Sequence, residues 1–153
     1  MLKKVLLVAA AGLFAGTASA QANLFKPEDA VKYRQSLYQV MAAQAGVIGG
    51  MAKGEIDFDA AALHQRAINL SNAASLLGET YFPETRGVEA SNMLDKGWED
   101  AEGRMAKAKD FGAALKNLVQ VSGEEGFDQA QAREAAGALF KTCKGCHDEY
   151  RKD

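Results

Sequence analysis

The sequence predicts an all-α fold, with amphipathic helices packed as an antiparallel four-helix bundle. Only two prolines, Pro27 and Pro83, interrupt the chain. Apolar residues recur at spacings of three and four, and no segment shows the alternation of a half-buried strand. The first helix opens at Lys26-Pro27-Glu28-Asp29, with proline at an early helical position and acids in the first turn, and is expected to run to Gly49-Gly50. Its apolar stripe is Val31, Leu37, Tyr38, Met41, Ala45 and Ile48. The second starts near Asp57 or Asp59 as N-cap and ends at Gly78, with Leu63, Leu70 and Leu77 at heptad spacing and Ala67 and Ala74 between them, the pattern of a bundle seam. The third carries Leu94, Trp98, Ala101, Met105, Ala108, Gly112, Leu115 and Val119 on alternating steps of four and three, and closes at Ser122-Gly123. The fourth opens at Asp128 and places Ala132, Ala136, Leu139, Cys143, Cys146 and Tyr150 on one stripe, with Phe140 and His147 beside it. Short connections join the first helix to the second and the third to the fourth, as antiparallel neighbours require. The link from Glu79 to about Asn92 is longer.

The only cysteines in the chain, Cys143 and Cys146, both lie in Cys143-Lys144-Gly145-Cys146-His147, a C-x-x-C-H pentad and the attachment signature of a c-type haem. Each part has a chemical duty. Two thiols add across the two porphyrin vinyl groups, and the adjacent imidazole reaches the iron as an axial ligand. The N-terminus supplies a compartment: Lys3 and Lys4 precede an apolar run from Val5 to about Phe14, and Ala18-Ser19-Ala20 forms an A-x-A cleavage site. Residues 1–20 therefore read as a signal peptide cleaved after Ala20, and residues 21–153 as one haem-binding domain. No later segment approaches the ~20 apolar residues needed to span a bilayer, so the mature chain is expected in the periplasm of a bacterial host, without membrane insertion. An oxidising compartment also permits a disulfide between Cys143 and Cys146, but that alternative gives no reason for His147. Losing Lys3 and Lys4 takes the 18 basic residues to 16 against 20 acidic ones, a formal charge of −4. This balance offers no basic stripe for collecting phosphates, and excludes nucleic acid as the expected partner.

Two segments, Thr142-Cys143-Lys144-Gly145-Cys146-His147-Asp148-Glu149-Tyr150-Arg151 and Lys26-Pro27-Glu28-Asp29-Ala30-Val31-Lys32-Tyr33-Arg34-Gln35-Ser36, resemble cytochrome c′. The similarity continues through Lys53-Gly54, Phe58-Asp59-Ala60-Ala61 and Pro83-Glu84-Thr85-Arg86-Gly87-Val88-Glu89-Ala90, covering essentially the whole mature chain. The resemblance implies up-down-up-down topology, one covalent haem c per chain, and five-coordinate high-spin iron with His147 as its ligand. It implies homodimers formed through the first two helices, binding of nitric oxide and carbon monoxide, and redox exchange with periplasmic partners. It also implies that Arg34 and Gln35 hydrogen-bond the haem propionates, as an Arg fork matches a carboxylate; their alternative is a solvated helix face. Glu89 matches an acidic position touching the haem edge, and Tyr81 an aromatic that packs on the haem.

The sixth coordination position decides between gas binding and electron carriage. Low-spin relatives of this family place a Met three residues beyond the position of Gln35, where this chain has Tyr38. A neutral phenol is a poor iron ligand unless deprotonated, so Tyr38 is expected to act as a distal lid. Met41, one turn further on, reads as core filler; as a sixth ligand it would make the protein a low-spin six-coordinate electron carrier, the alternative function. Arg151 follows His147 by four residues, which places it beside the imidazole, and it also answers the helix dipole. His64 is expected to be exposed, and Trp98 to pack in the core and not to relay electrons. The pentad alone is one ligand short of a closed structural zinc site, and its place at the end of a helical chain is wrong for a thiol oxidoreductase. Peroxide chemistry wants a distal His or Arg as acid and base, whereas the first helix presents Tyr38 among apolar residues, so no enzymatic activity is expected.

Overall fold

The computed structural model describes residues 26–152; the leader and its cleavage site after Ala20 lie outside the described residues. Helix α1 spans Pro27–Lys53, with Pro27 in its first turn and Glu28 and Asp29 beside it, as the dipole favours. The expected stop at Gly49-Gly50 is corrected, because the helix runs through both glycines. A Cβ on Gly49 would stand 3.3 Å from the Phe140 ring, and one on Gly50 2.6 Å from Ile56 Cδ1. These glycines permit close packing, and the helix stops at Gly54, whose φ of 81° is the left-handed cap.

Helix α2 spans Ala60–Ser75, capped by Asp59, which accepts from the Ala62 N–H at 2.9 Å. It ends before the expected Gly78, and the chain continues in 3-10 turns at Leu77–Thr80 and Pro83–Thr85. The third helix is also corrected, since it is two pieces. A single turn, α3, spans Lys96–Glu99, and α4 spans Ala101–Ser122. Asp100 divides them by leaving helical geometry and capping α4 through the Gly103 N–H at 2.9 Å. Helix α5 spans Gln129–Tyr150 and begins with a full capping box, in which Asp128 and Gln131 each accept from the other's backbone N–H.

Helix α1 packs on α2 and α5, and α4 packs on α2 and α5, which closes a four-membered ring of helices, while α3 leans on α4 and α5. The core contains Ile48, Leu63, Leu70, Leu115, Leu118 and Leu139, drawn from all four long helices. On α4 the predicted stripe holds at its C-terminal end, where Leu115 is buried and Val119 packs on the core beside Leu118 and Phe111, but earlier in the helix Met105 is 65% exposed and Ala108 and Gly112 are open to solvent. Small residues carry little periodic information, and Ala and Gly extended the apolar pattern beyond the part that packs.

The long link between α2 and α3 is fastened on both sides. Leu94 N–H donates to the Tyr150 carbonyl and Lys152 N–H to the Asn92 carbonyl, each at 2.8 Å, so the chain's end holds the link in an antiparallel bridge. From α1, Gln35 Nε2 donates to the Ala90 carbonyl at 2.6 Å. Tyr81, within this link, is thereby set against the end of the bundle where α5 carries the pentad.

Candidate functional site

Cys143 and Cys146 occur one helical turn apart on α5, both half-buried and both free thiols. Burial pushes both thiols above the usual range, and at Cys146 the nearby Lys107 and Arg104 partly offset the rise. Such thiols stay protonated at neutral pH, unlike the low-pKa cysteine of a thiol oxidoreductase. His147, next on the helix, is exposed, and its pKa is lowered by partial burial and then by the Arg151 charge. The imidazole is therefore neutral at pH 7, the state that has a lone pair for a metal. Arg151 Nη1 lies 3.3 Å from His147 Nδ1, as the four-residue spacing predicts.

Across the bundle, Tyr38 and Tyr81 share a hydrogen bond at 3.0 Å between their hydroxyls. The Tyr38 phenol is pushed well above its ordinary pKa, first by burial and then by Tyr81, with a smaller contribution from the Cys146 thiol. That last influence puts the phenol within electrostatic reach of Cys146. Tyr38 as a whole is 39% exposed. Met41, by contrast, is buried in the core cluster, 8% exposed. Trp98 lies on the short α3 and is only half-buried, its ring centroid 6.2 Å from that of Tyr81.

Arg34 contradicts the solvated-face alternative, being 4% exposed, with Nη1 donating to the Thr80 carbonyl and Nη2 to Ser91 Oγ, both at 3.4 Å. Its guanidinium carbon lies 4.2 Å from the centroid of Tyr81. Gln35 is half-buried and spends its amide donor on the link. Glu89 lines a cavity of about 470 Å³ with Val88, Met93, Leu94, Trp98 and Lys152, and through Trp98 that cavity borders the Tyr81 group. His64 is half-buried, not exposed, with Nδ1 2.9 Å from Ser122 Oγ and thus tying α2 to α4. Arg104 was not singled out by the sequence, because a charge near a helix start reads as surface. Here its guanidinium is 5.5 Å from the Tyr81 centroid, and its Nε donates to the Gly97 carbonyl at 2.8 Å.

The residues fit a haem: two thiols one turn apart, a neutral imidazole beside them, and a buried arginine whose bonds among the described residues go only to neutral oxygens. A four-helix bundle with the thiols and imidazole on its last helix defines a covalent haem carrier of the bundle type. The family model described as Cytochrome C' matches residues 29–151, and the chain belongs to the cytochrome c′ family. Its cofactor is haem c, attached through Cys143 and Cys146. The chain is 38% identical over 135 residues to the cytochrome c′ of Halomonas halodenitrificans, covering 84% of this chain and 99% of that protein. It is 35% identical over 130 residues to that of Rubrivivax gelatinosus, covering 83% and 97%. Among solved structures, cytochrome c prime from Shewanella frigidimarina superposes with a TM-score of 0.78 at 31% identity, covering 86% of this chain and all of that one. A variant of cytochrome c prime from Alcaligenes xylosoxidans, solved as its nitric oxide complex, gives 0.75 at 33% identity, covering 84% and 98%.

Proposed function

We propose that this is a periplasmic haem-c protein with five-coordinate high-spin iron, binding nitric oxide and carbon monoxide on the side lidded by Tyr38 and exchanging electrons with soluble partners. The observation that carries this reading is the Tyr38–Tyr81 hydroxyl pair, 3.0 Å apart, with the Tyr38 phenol held in its neutral form. A neutral phenol anchored to a neighbour does not bind iron strongly, and the methionine nearest to it, Met41, is spent on core packing. When bound, the haem supplies an iron atom able to take a diatomic ligand.

On the proximal side His147 would be the single axial ligand, and Arg151 shapes it. A guanidinium has donors only, so it offers no acceptor to the Nδ1 proton of a ligating imidazole. Among the described residues no carboxylate is hydrogen-bonded to that ring, so no carboxylate partner makes this histidine more basic. A modest proximal bond suits reversible gas binding. Relatives solved with nitric oxide bound support the same reading for this chain. We read the protein as a binder and carrier and not as an enzyme, since its distal phenol stays neutral and His64, the other imidazole, is bonded to Ser122.

Export follows from the leader motif. Among the described residues no helix is long and apolar enough to cross a membrane. Dimerisation through α1 and α2 is supported by Val40, an apolar residue 46% exposed on α1, and sedimentation velocity at micromolar concentration would show a two-chain species. The test of the iron reading is the optical spectrum of the reduced protein with and without carbon monoxide. A single broad high-spin band that sharpens with the gas supports it; sharp split bands before the gas would make Met41 the sixth ligand and electron carriage the main role.

A further inference from the structure

Tyr81 is approached by two arginines from different helices, Arg34 of α1 at 4.2 Å and Arg104 of α4 at 5.5 Å from its ring centroid. Two like charges on one ring repel, so a counter-ion is wanted. Among the described residues, the ion pairs use Arg86 and lysines, and neither of these arginines has a carboxylate. The nearby acids are already committed: Asp100 accepts from the Tyr150 hydroxyl and the Gly103 N–H, while Glu149 pairs with Lys107 and Lys96. Tyr38, whose phenol burial pushes well above its ordinary pKa, is neutral and supplies no counter-charge. Arg34 is 4% exposed, and leaving so buried a guanidinium without an anion is costly.

Arg104 is held for a purpose that its own helix does not need. The break at Asp100 turns α3 so that the Gly97 carbonyl meets Arg104 Nε, and this bond aims the fork while leaving both Nη groups with no partner among the described residues. A planar fork with free paired donors matches a carboxylate. We propose that Arg104 is a second anchor for the propionate carboxylates of the haem, acting with Arg34 across the Tyr81 ring. The proposal rests on the haem reading above and adds to it a residue that lies outside the motifs carrying the family resemblance. Arg104 is a positioning residue, and its fixed positive charge also stabilises the reduced iron relative to the oxidised.

The test compares the Arg104→Gln and Arg104→Lys variants with the parent, all as haem-loaded protein. Acidified-solvent extraction first establishes that haem is covalently held; a parent without bound haem would defeat the functional reading and not this inference in particular. In haem-loaded Arg104→Gln, loss of the cation shifts the reduction equilibrium toward the ferric form on the order of tenfold, ~59 mV for a one-electron couple. The propionate bending band in the resonance Raman spectrum moves with it. Arg104→Lys restores the potential but not the band, because the charge returns without the fork. Should Arg104→Gln fail to fold, the Lys variant alone is decisive, through its displaced band. A parent-like potential and band in haem-loaded Arg104→Gln, or a parent-like band in Arg104→Lys, overturns the proposal.

Discussion

Replacing Tyr38 by Phe removes one hydroxyl and nothing else, which isolates the gate over the distal side. That hydroxyl is bonded to Tyr81 at 3.0 Å, and if Tyr38 is the proposed lid, an incoming ligand has to swing the phenol and break the bond. A net intramolecular hydrogen bond contributes about 0.5–1.5 kcal/mol, and the 39% exposure of Tyr38 argues for the lower half of that range. At 1.4 kcal/mol per tenfold, Tyr38→Phe should accelerate carbon monoxide association by roughly two- to fivefold. Tyr81→Phe removes the same bond from the other side and should give a similar factor, and the double variant should gain little more. Tyr38→Ala also removes the ring, and should exceed both. The assay is flash photolysis or stopped-flow mixing of the ferrous protein with carbon monoxide. Unchanged rates in all three single variants would refute Tyr38 as a lid; a larger gain in the double variant than in either single would show that the mutual bond is not the barrier.

Other expectations follow from packing and from attachment. Cys143→Ala or Cys146→Ala should leave haem partly extractable by acidified organic solvent, whereas the parent retains all of it, and full retention in the double variant would sink the thioether assignment. Leu63 is fully buried in the α2 seam, so Leu63→Ala should cost about 2–5 kcal/mol in denaturant unfolding of the haem-loaded protein, and a loss under 1 kcal/mol would contradict the packing described. Asp100 titrates below the ordinary carboxylate value because the Tyr150 hydroxyl and then the Gly103 N–H bond its ionised form. A depressed folded-state pKa gives stability that is present above the unfolded value near 3.8 and is lost as pH falls through the folded value. Asp100→Asn should therefore flatten the acid limb of the stability–pH curve below about pH 4, and an unaltered limb would mean that the Tyr150–Asp100 bond does not form in solution.

Local chemistry was legible in the sequence wherever one segment contains its own explanation. The pentad is readable because thioether attachment and axial ligation need adjacent residues, and α5 is readable because Asp128 and Gln131 cap it within four residues. The capping role of Asp59 is equally local. Features set by distant partners were not legible. Gly49 and Gly50 look like a stop until Phe140 and Ile56 are seen against them. Asp100 looks like one more polar residue in a long helix until Tyr150, fifty positions away, is found bonded to it. On α4 the stripe is legible at Leu115 and Val119, but Ala and Gly at the earlier steps are silent about burial, and the partly buried Arg104 reads as surface. The ring of contacts among Arg34, Tyr38, Tyr81 and Arg104 joins α1, the long link and α4, and no spacing rule announces it.

Five-coordinate iron beneath a tyrosine lid is tested by the absorption spectrum of the dithionite-reduced protein before and after carbon monoxide. Five-coordinate iron gives an unsplit high-spin spectrum before the gas and a sharp low-spin spectrum after it. Split low-spin bands in the reduced protein, unmoved by carbon monoxide, would contradict it and show the sixth position already filled.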